Sequence, residues 1–384
     1  MIVLAYPVSP QTFLRLSVLS LKFATMKYRG VVYDVGLNFS GTGFSVEPFD
    51  PALVEYDMRA IANGLHANAV RIEGDEITRL QIAARSAHSM GLKVFFNPWK
   101  MNATIEETRA YFEKAAKTAE ILRNEGIDLV FIAGCEYTIF GKGVFPGDSF
   151  NDRAMFLGRQ FPSGHMIEDI PQALRDRSVE LNEVLRSFVE VIRSQFGGMI
   201  TYSAGSWEVV DWNLFDIVGI DYYRRGETAE KYVSCLDRYR IGKPLAVLEV
   251  GCCAYEGGAE RGDGGFALLK GTNPDGTGIF ENDIVPTRSE KEQAEYVGTQ
   301  LELLNNAGVD AAFIFVFSFP CMPAGKGATD LDMMSFSLVK TFPKKDSRSK
   351  DMPPWVPKES FYRVAEVFRS MEQEENIFRS DPVK

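Results

Sequence analysis

The sequence predicts one closed (β/α)₈ barrel, a TIM barrel, and three observations predict it. Eight short apolar runs recur along the 384 residues, with helical stretches between them. The runs are apolar on both faces, as strands are when helices cover one side and a barrel interior the other. No glycine-rich dinucleotide fingerprint follows the first run, since the glycines of GLNFSGTGF have the wrong spacing, and this disfavours a doubly wound open sheet.

In chain order the runs are GVVYDVGLNF from Gly30, NAVRIEG from Asn68, GLKVFFNPW from Gly91 and DLVFIAGCE from Asp128. MITYSAGSW follows from Met199, DIVGIDYY from Asp216, PLAVLEVG from Pro244 and AAFIFVFSF from Ala311. Between them, Ala52 to His66 sets Leu53, Met58, Ile61 and Leu65 on one stripe, and Glu76 to Met90 does so with Ile77, Leu80, Ala83 and Ala87. The segments Ile105 to Asn124 and Lys291 to Asn306 each end shortly before a glycine, Gly126 and Gly308, suited to a C-cap. Ile170 to Gln195 is a further amphipathic helix, and Glu359 to Phe368 closes the ring.

Three connections are long: Tyr137 to Glu168 after the fourth strand, Cys252 to Pro286 after the seventh and Pro320 to Pro357 after the eighth. Connections beyond ~12 to 15 residues are usually lids, binding loops or disorder. All three rise from the C-terminal face, where a barrel of this kind carries its site. Residues 1–27 are expected to lie outside the fold as an extension, 28–370 to form the barrel, and 371–384 to be a disordered acidic tail. The apolar stretch near the start is too short to span a bilayer. It also lacks the positive flank and cleavage site of a signal peptide.

Composition narrows the partners. The 52 acidic residues against 42 Lys and Arg give a net charge of −10, which suits neither nucleic acid nor an anionic membrane surface. The five cysteines are scattered and the three histidines have no zinc-ligand spacing, so neither a disulfide framework nor a metal or other cofactor is expected. A reduced, cytoplasmic protein is the default reading, with secretion left open by the apolar start.

Polar groups that end the runs are the candidates for chemistry: Asn38, Arg71 with Glu73, Asn97, Glu136, Ser206 with Trp207 and Glu208, Asp221 with Tyr222 and Tyr223, Glu249 and Ser318. Glu136 and Glu249 each follow an apolar strand core directly, on strands four and seven, which face each other across a closed barrel. Two such carboxyls can divide the work of splitting a glycoside, one ionised as nucleophile and one protonated as acid. Arg71 is placed to hold Glu249 ionised, and Tyr222 is favoured over Tyr223 to donate to the same carboxylate. Trp99, Trp207 and Phe317 offer rings to a sugar face. A Cys–His dyad is disfavoured because none of the histidines ends a strand.

Taken together these motifs resemble glycoside hydrolase clan A, the retaining β-glycosidases built on (β/α)₈ barrels, over roughly Gly30 to Arg369. The resemblance implies Glu136 in VFIAGCE as acid/base, Glu249 in KPLAVLEVG as nucleophile, Arg71 in AVRIEG as their partner, and GIDYY as the source of a tyrosine beside the nucleophile. It also implies a carbohydrate substrate and no cofactor. Two positions depart from the pattern: Cys135 stands where many members have Asn, and Phe where many end strand eight with Trp. The expected activity is a retaining, exo-acting hydrolase of short glycosides, with transglycosylation open. A lyase, isomerase or cyclase, or a non-catalytic carbohydrate-binding protein, are the alternatives.

Overall fold

The computed structural model describes residues 25–39, 41, 43–161 and 170–380. Its strands are β1 (Tyr28–Asp34), β2 (Ala69–Gly74), β3 (Lys93–Pro98), β4 (Leu129–Cys135), β5 (Met199–Ser203), β6 (Val218–Asp221), β7 (Leu245–Val250) and β8 (Ala311–Ile314). They form one sheet in the order β5-β4-β3-β2-β1-β8-β7-β6, every pair parallel. A parallel bridge between Ala204 and Ile220 brings the two edges together, so the (β/α)₈ barrel closes.

Side chains alternate between two apolar layers. Tyr33, Ile72, Phe96 and Phe131 pack outward under the helices, while Val32, Phe95, Val130, Leu248 and Phe313 fill the inside. The floor of the barrel is a ring pair, Phe95 on Phe313, with centroids 4.6 Å apart. Gly30 makes room for it: a Cβ there would lie 2.3 Å from the Phe313 ring. Above this floor the inward positions turn polar, and parallel register sets the acids side by side. Asp34 pairs with Glu73, Glu73 with Asn97, and Asp221 with Glu249.

The helices follow from local chemistry. Ile105–Asn124 starts in a capping box, Thr104 with Glu107, which contributes about 1 kcal/mol, and ends before Gly126 at φ 92°. Gln172–Arg193 and Glu290–Asn306 cover their stretches of sheet as the periodicity predicts. The long connections hold more structure than expected. The one after β4 contains helices Tyr137–Phe140 and Phe150–Gln160, the second begun by a Ser149–Asp152 capping box; the end of this connection, 162–169, lies outside the described residues. After β7 come a short helix, a 3₁₀ turn and a ribbon of Leu269–Thr272 with Gly278–Phe280. After β8, Val339–Thr341 pairs with Trp355–Pro357.

Both expected ends shift. Met26 is buried and its N–H donates to the Asn305 side chain at 2.9 Å, so the fold has begun by Met26, while residues 1–24 lie outside those described. The last helix runs Glu359–Ser380, past the expected end at Phe368 and through 371–380, where an unstructured tail was expected. It is tied down there by buried Met371 and by Glu375 paired with Arg29 at 3.2 Å. Positions 381–384 lie outside the described residues. Among the described residues no helix is long and apolar enough to cross a membrane.

Candidate active site

The C-terminal ends of β2, β4, β5, β6 and β7 converge on one buried guanidinium. Arg71 Nη1 lies 3.0 Å from Glu249 Oε1 and 3.6 Å from Asp221 Oδ1. It donates to Ser203 Oγ at 3.0 Å and to the Leu248 carbonyl at 3.1 Å. Nη2 lies 3.3 Å from Glu73 Oε2. One cation thus faces three carboxyls, and burial raises the pKa of two of them, Glu73 and Asp221, well above the ordinary range. Burial opposes the charge on Arg71, but Glu249 and the other acids outweigh it and raise its pKa.

Glu249 is held from both sides. Tyr223 donates its phenol to Oε2 at 2.7 Å, and the Cys135 thiol approaches Oε1 at 3.7 Å and Asp221 Oδ2 at 3.6 Å. Ser203 Oγ donates to Asp221 Oδ1 at 2.6 Å. The Cys135 thiol is pushed well up by burial and then by the charges of Asp221 and Glu249, so it stays protonated. Cys135, Asp221 and Glu249 offer ligand atoms within 4.8 Å of one another. Arg71 already supplies positive charge there, 3.0 Å from Glu249 Oε1 and 3.6 Å from Asp221 Oδ1, which disfavours a metal ion among the same groups.

Glu136 stands at the mouth, partly exposed, as the first residue past β4. Its backbone is left-handed, φ 41° and ψ 47°. A register shift between Ile132 and Cys135, with Gly134 at φ 106°, turns the chain there. The surrounding protein, then the charges of Asp221, Glu249 and Glu208, push its carboxyl well above the usual range. The two glutamates therefore sit in different settings: one partly open and holding its proton, the other beside a guanidinium and a phenol.

The remaining candidates divide. Tyr222 turns away and donates to the Tyr232 carbonyl at 2.7 Å, so the tyrosine on Glu249 is Tyr223, against the sequence expectation. A register shift between Ile220 and Asp221 upsets the alternation on which that expectation rested. Phe317 is fully buried against Tyr33 and Trp355, and the ring beside the site is Phe315, next to Phe336. Trp207 and Glu208 point into the protein, the indole donating to Thr138 Oγ1 at 2.9 Å. Trp99 packs edge-on to Phe140 at 4.9 Å in a small cluster with Leu37 and Cys135. Asn38 is half-buried and accepts from the Gly41 amide at 2.6 Å. Asn97 is fully buried beside Glu73, and neither end of its amide finds a partner among the described residues.

Sequence reasoning missed Ser203, because β5 ends there and not at Ser206. It also missed the pair Arg225–Asp263, which joins the connections after β6 and β7 near Glu136. No signal short of the fold brings those two together.

No family model and no curated protein sequence matches the chain. Solved structures do. A GH113 β-1,4-mannanase superposes with a TM-score of 0.54 at 13% identity, over 90% of this chain and 99% of its own. A GH113 β-mannanase from Alicyclobacillus acidocaldarius, solved in complex with ManMIm, gives 0.52 at 13% over 92% and 99%. Fpglu1 from Fervidobacterium pennivoraus gives 0.52 at 10% over 92% and 98%. The chain shares the fold of barrel glycoside hydrolases. What these comparisons carry is the barrel itself, over nine-tenths of this chain and nearly all of each neighbour, as the sequence resemblance implied.

Proposed function

We propose that the protein is a retaining glycoside hydrolase that acts from the end of short glycosides. The observation that carries this reading is the unlike setting of two carboxyls at the ends of β4 and β7. Glu249, beside Arg71 and the Tyr223 phenol, is the nucleophile that attacks the anomeric carbon. Glu136, whose pKa is raised, gives its proton to the departing oxygen. A glycosyl ester on Glu249 forms as the glycosidic bond breaks. Water then attacks the same carbon, giving up its proton to Glu136, and Glu249 leaves. Retention requires the two carboxyl groups to approach to ~5 to 5.5 Å in the working enzyme.

Action from a chain end is favoured by the connections after β6, β7 and β8. Tyr223, Tyr255, Phe280, Met333 and Phe336 form one apolar wall beside Glu249, with Phe266 stacked on Phe336 at 4.4 Å. Such a wall suits a pocket more than an open groove. The named activity of the mannanases sharing the fold makes β-mannosides the first substrates to try. Transfer to a sugar hydroxyl in place of water uses the same steps.

The test is a panel of activated aryl glycosides, α and β, pyranoside and furanoside, with wild type and Glu249→Ala. Release of the aryl alcohol by wild type alone supports the proposal and names the sugar. Release at equal rates by both proteins overturns it. The second reading, carbohydrate binding or non-hydrolytic chemistry in the same cleft, is favoured by one observation: Cys135, a weak donor, touches Glu249 where an amide is usual in the resembling clan. Sugar binding by wild type with no product, undiminished in Glu249→Ala, supports binding alone.

A further inference from the structure

A glutamate in the left-handed region is held there by its surroundings. Here the holding is done amide by amide. The Glu136 N–H donates to the Ser203 carbonyl at 2.8 Å. The Tyr137 N–H donates to the Tyr202 hydroxyl at 2.7 Å. The Thr138 N–H and hydroxyl donate to Glu208 Oε1 at 3.1 and 2.7 Å. Every one of these acceptors comes from β5 or the turn that follows it.

The acceptors are themselves joined. The Tyr202 hydroxyl donates a hydrogen bond to the Glu208 carboxyl, 2.9 and 3.0 Å from its two oxygens, and the Gly205 N–H donates to Oε2 at 3.1 Å. Trp207 closes the far side through Thr138 Oγ1. Glu208 is only 4% exposed, and both its oxygens are taken up within the protein. It has no oxygen left for a sugar, yet only Tyr137 separates its partner Thr138 from Glu136.

We propose that Glu208, with Tyr202, is the positioning residue of the acid/base: it fixes the peptide planes beyond Glu136 and so aims that carboxyl at the departing oxygen. The proposal rests on the reading of Glu136 given above. A general acid must come within ~2.6 to 3.2 Å of the atom it protonates. A displacement of about 1 Å at such a group costs on the order of a hundredfold in rate. A turn of a peptide plane between Glu136 and Thr138 shifts the carboxyl carried on that stretch of backbone.

Two variants test it. Glu208→Gln sets an amide NH₂ among donors, and Tyr202→Phe removes only the linking hydroxyl. Each is compared with wild type for kcat/KM on two glycosides of the sugar found in the panel. From the 2,4-dinitrophenyl glycoside the phenolate leaves without a proton, while from the phenyl glycoside the departing oxygen needs one. The expected result is a fall on the order of tenfold or more on the phenyl glycoside, with the dinitrophenyl glycoside little changed, since general acid catalysis contributes at least ~10². Equal losses on both substrates, or no loss on either, overturn the proposal. If wild type cleaves no glycoside, the functional reading fails by itself, and the clamp is read from amide hydrogen exchange at Tyr137 and Thr138. Faster exchange in both variants supports it, and unchanged protection overturns it.

Discussion

Removing the hydroxyl of Tyr223 takes away the hydrogen bond to Glu249 Oε2 and leaves its ring among Phe336 and Met333. A bond to a charged group contributes about 1.5 to 3 kcal/mol, so Tyr223→Phe should lower kcat/KM roughly ten- to a hundredfold with little change in melting temperature. Tyr222→Phe should do the reverse. It cuts a buried bond to Tyr232, costs about 1 kcal/mol of stability and leaves kcat/KM near wild type. Steady-state kinetics and thermal melts on the two variants decide it, and an exchange of the two patterns would sink the assignment. At this scale the sequence showed Arg71 and Glu249 well, because a charge inside an apolar strand has to be paired. It showed Tyr223 and Ser203 poorly. Both depend on where a strand loses its regular alternation, and one residue of slip turns a side chain from one face to the other.

Between elements, Asp57 is the joint to probe. It sits on the helix Pro51–Arg59, accepts from Trp355 of the last ribbon at 2.8 Å and from Tyr33 of β1 at 2.8 Å. Burial, opposed by these two bonds, pushes its carboxyl from 3.8 up to about 7. Below about pH 4 both folded and unfolded chains hold this proton, and its contribution is complete. Between there and pH 7 only the folded chain holds it, so stability falls as pH rises, and the fall ends above pH 7. Asp57→Asn keeps an acceptor for Trp355 and offers a donor to Tyr33. It should leave the melting temperature nearly unchanged at pH 4 and raise it at pH 8 relative to wild type. A difference independent of pH would contradict the assignment. The elements joined here were legible in unequal degree. Two-faced apolar runs marked all eight strands, but the short helices after β4 were hidden in a stretch rich in Phe, Gly and Pro. The Ser149–Asp152 box is the sequence signal for the second of them, a capping pair three residues apart.

For the whole molecule, the barrel was legible because eight repeats of one pattern leave few other ways to bury both faces. The ends were not, since the last turns of the final helix, MEQEENIFRS, are mostly polar and carry little periodic signal until their partner is known. That partner is the first strand: Arg29 lies near the start of β1 and Glu375 on the last helix. Deleting 371–384 should therefore lower the melting temperature by several degrees, through lost Met371 burial and an Arg29 left without that partner, while kcat/KM at low temperature changes little. An unchanged melting curve would show the last turns to be dispensable. The ring pair of Phe95 and Phe313 has a consequence of another kind. A tube stopped at its base has a single door. On the reading proposed above, with Phe95 and Phe313 filling the barrel below the polar layer, substrate enters and product leaves from the C-terminal face alone. Water and product would then share one passage, so a product slow to leave would delay the next turnover even with both carboxyls in place.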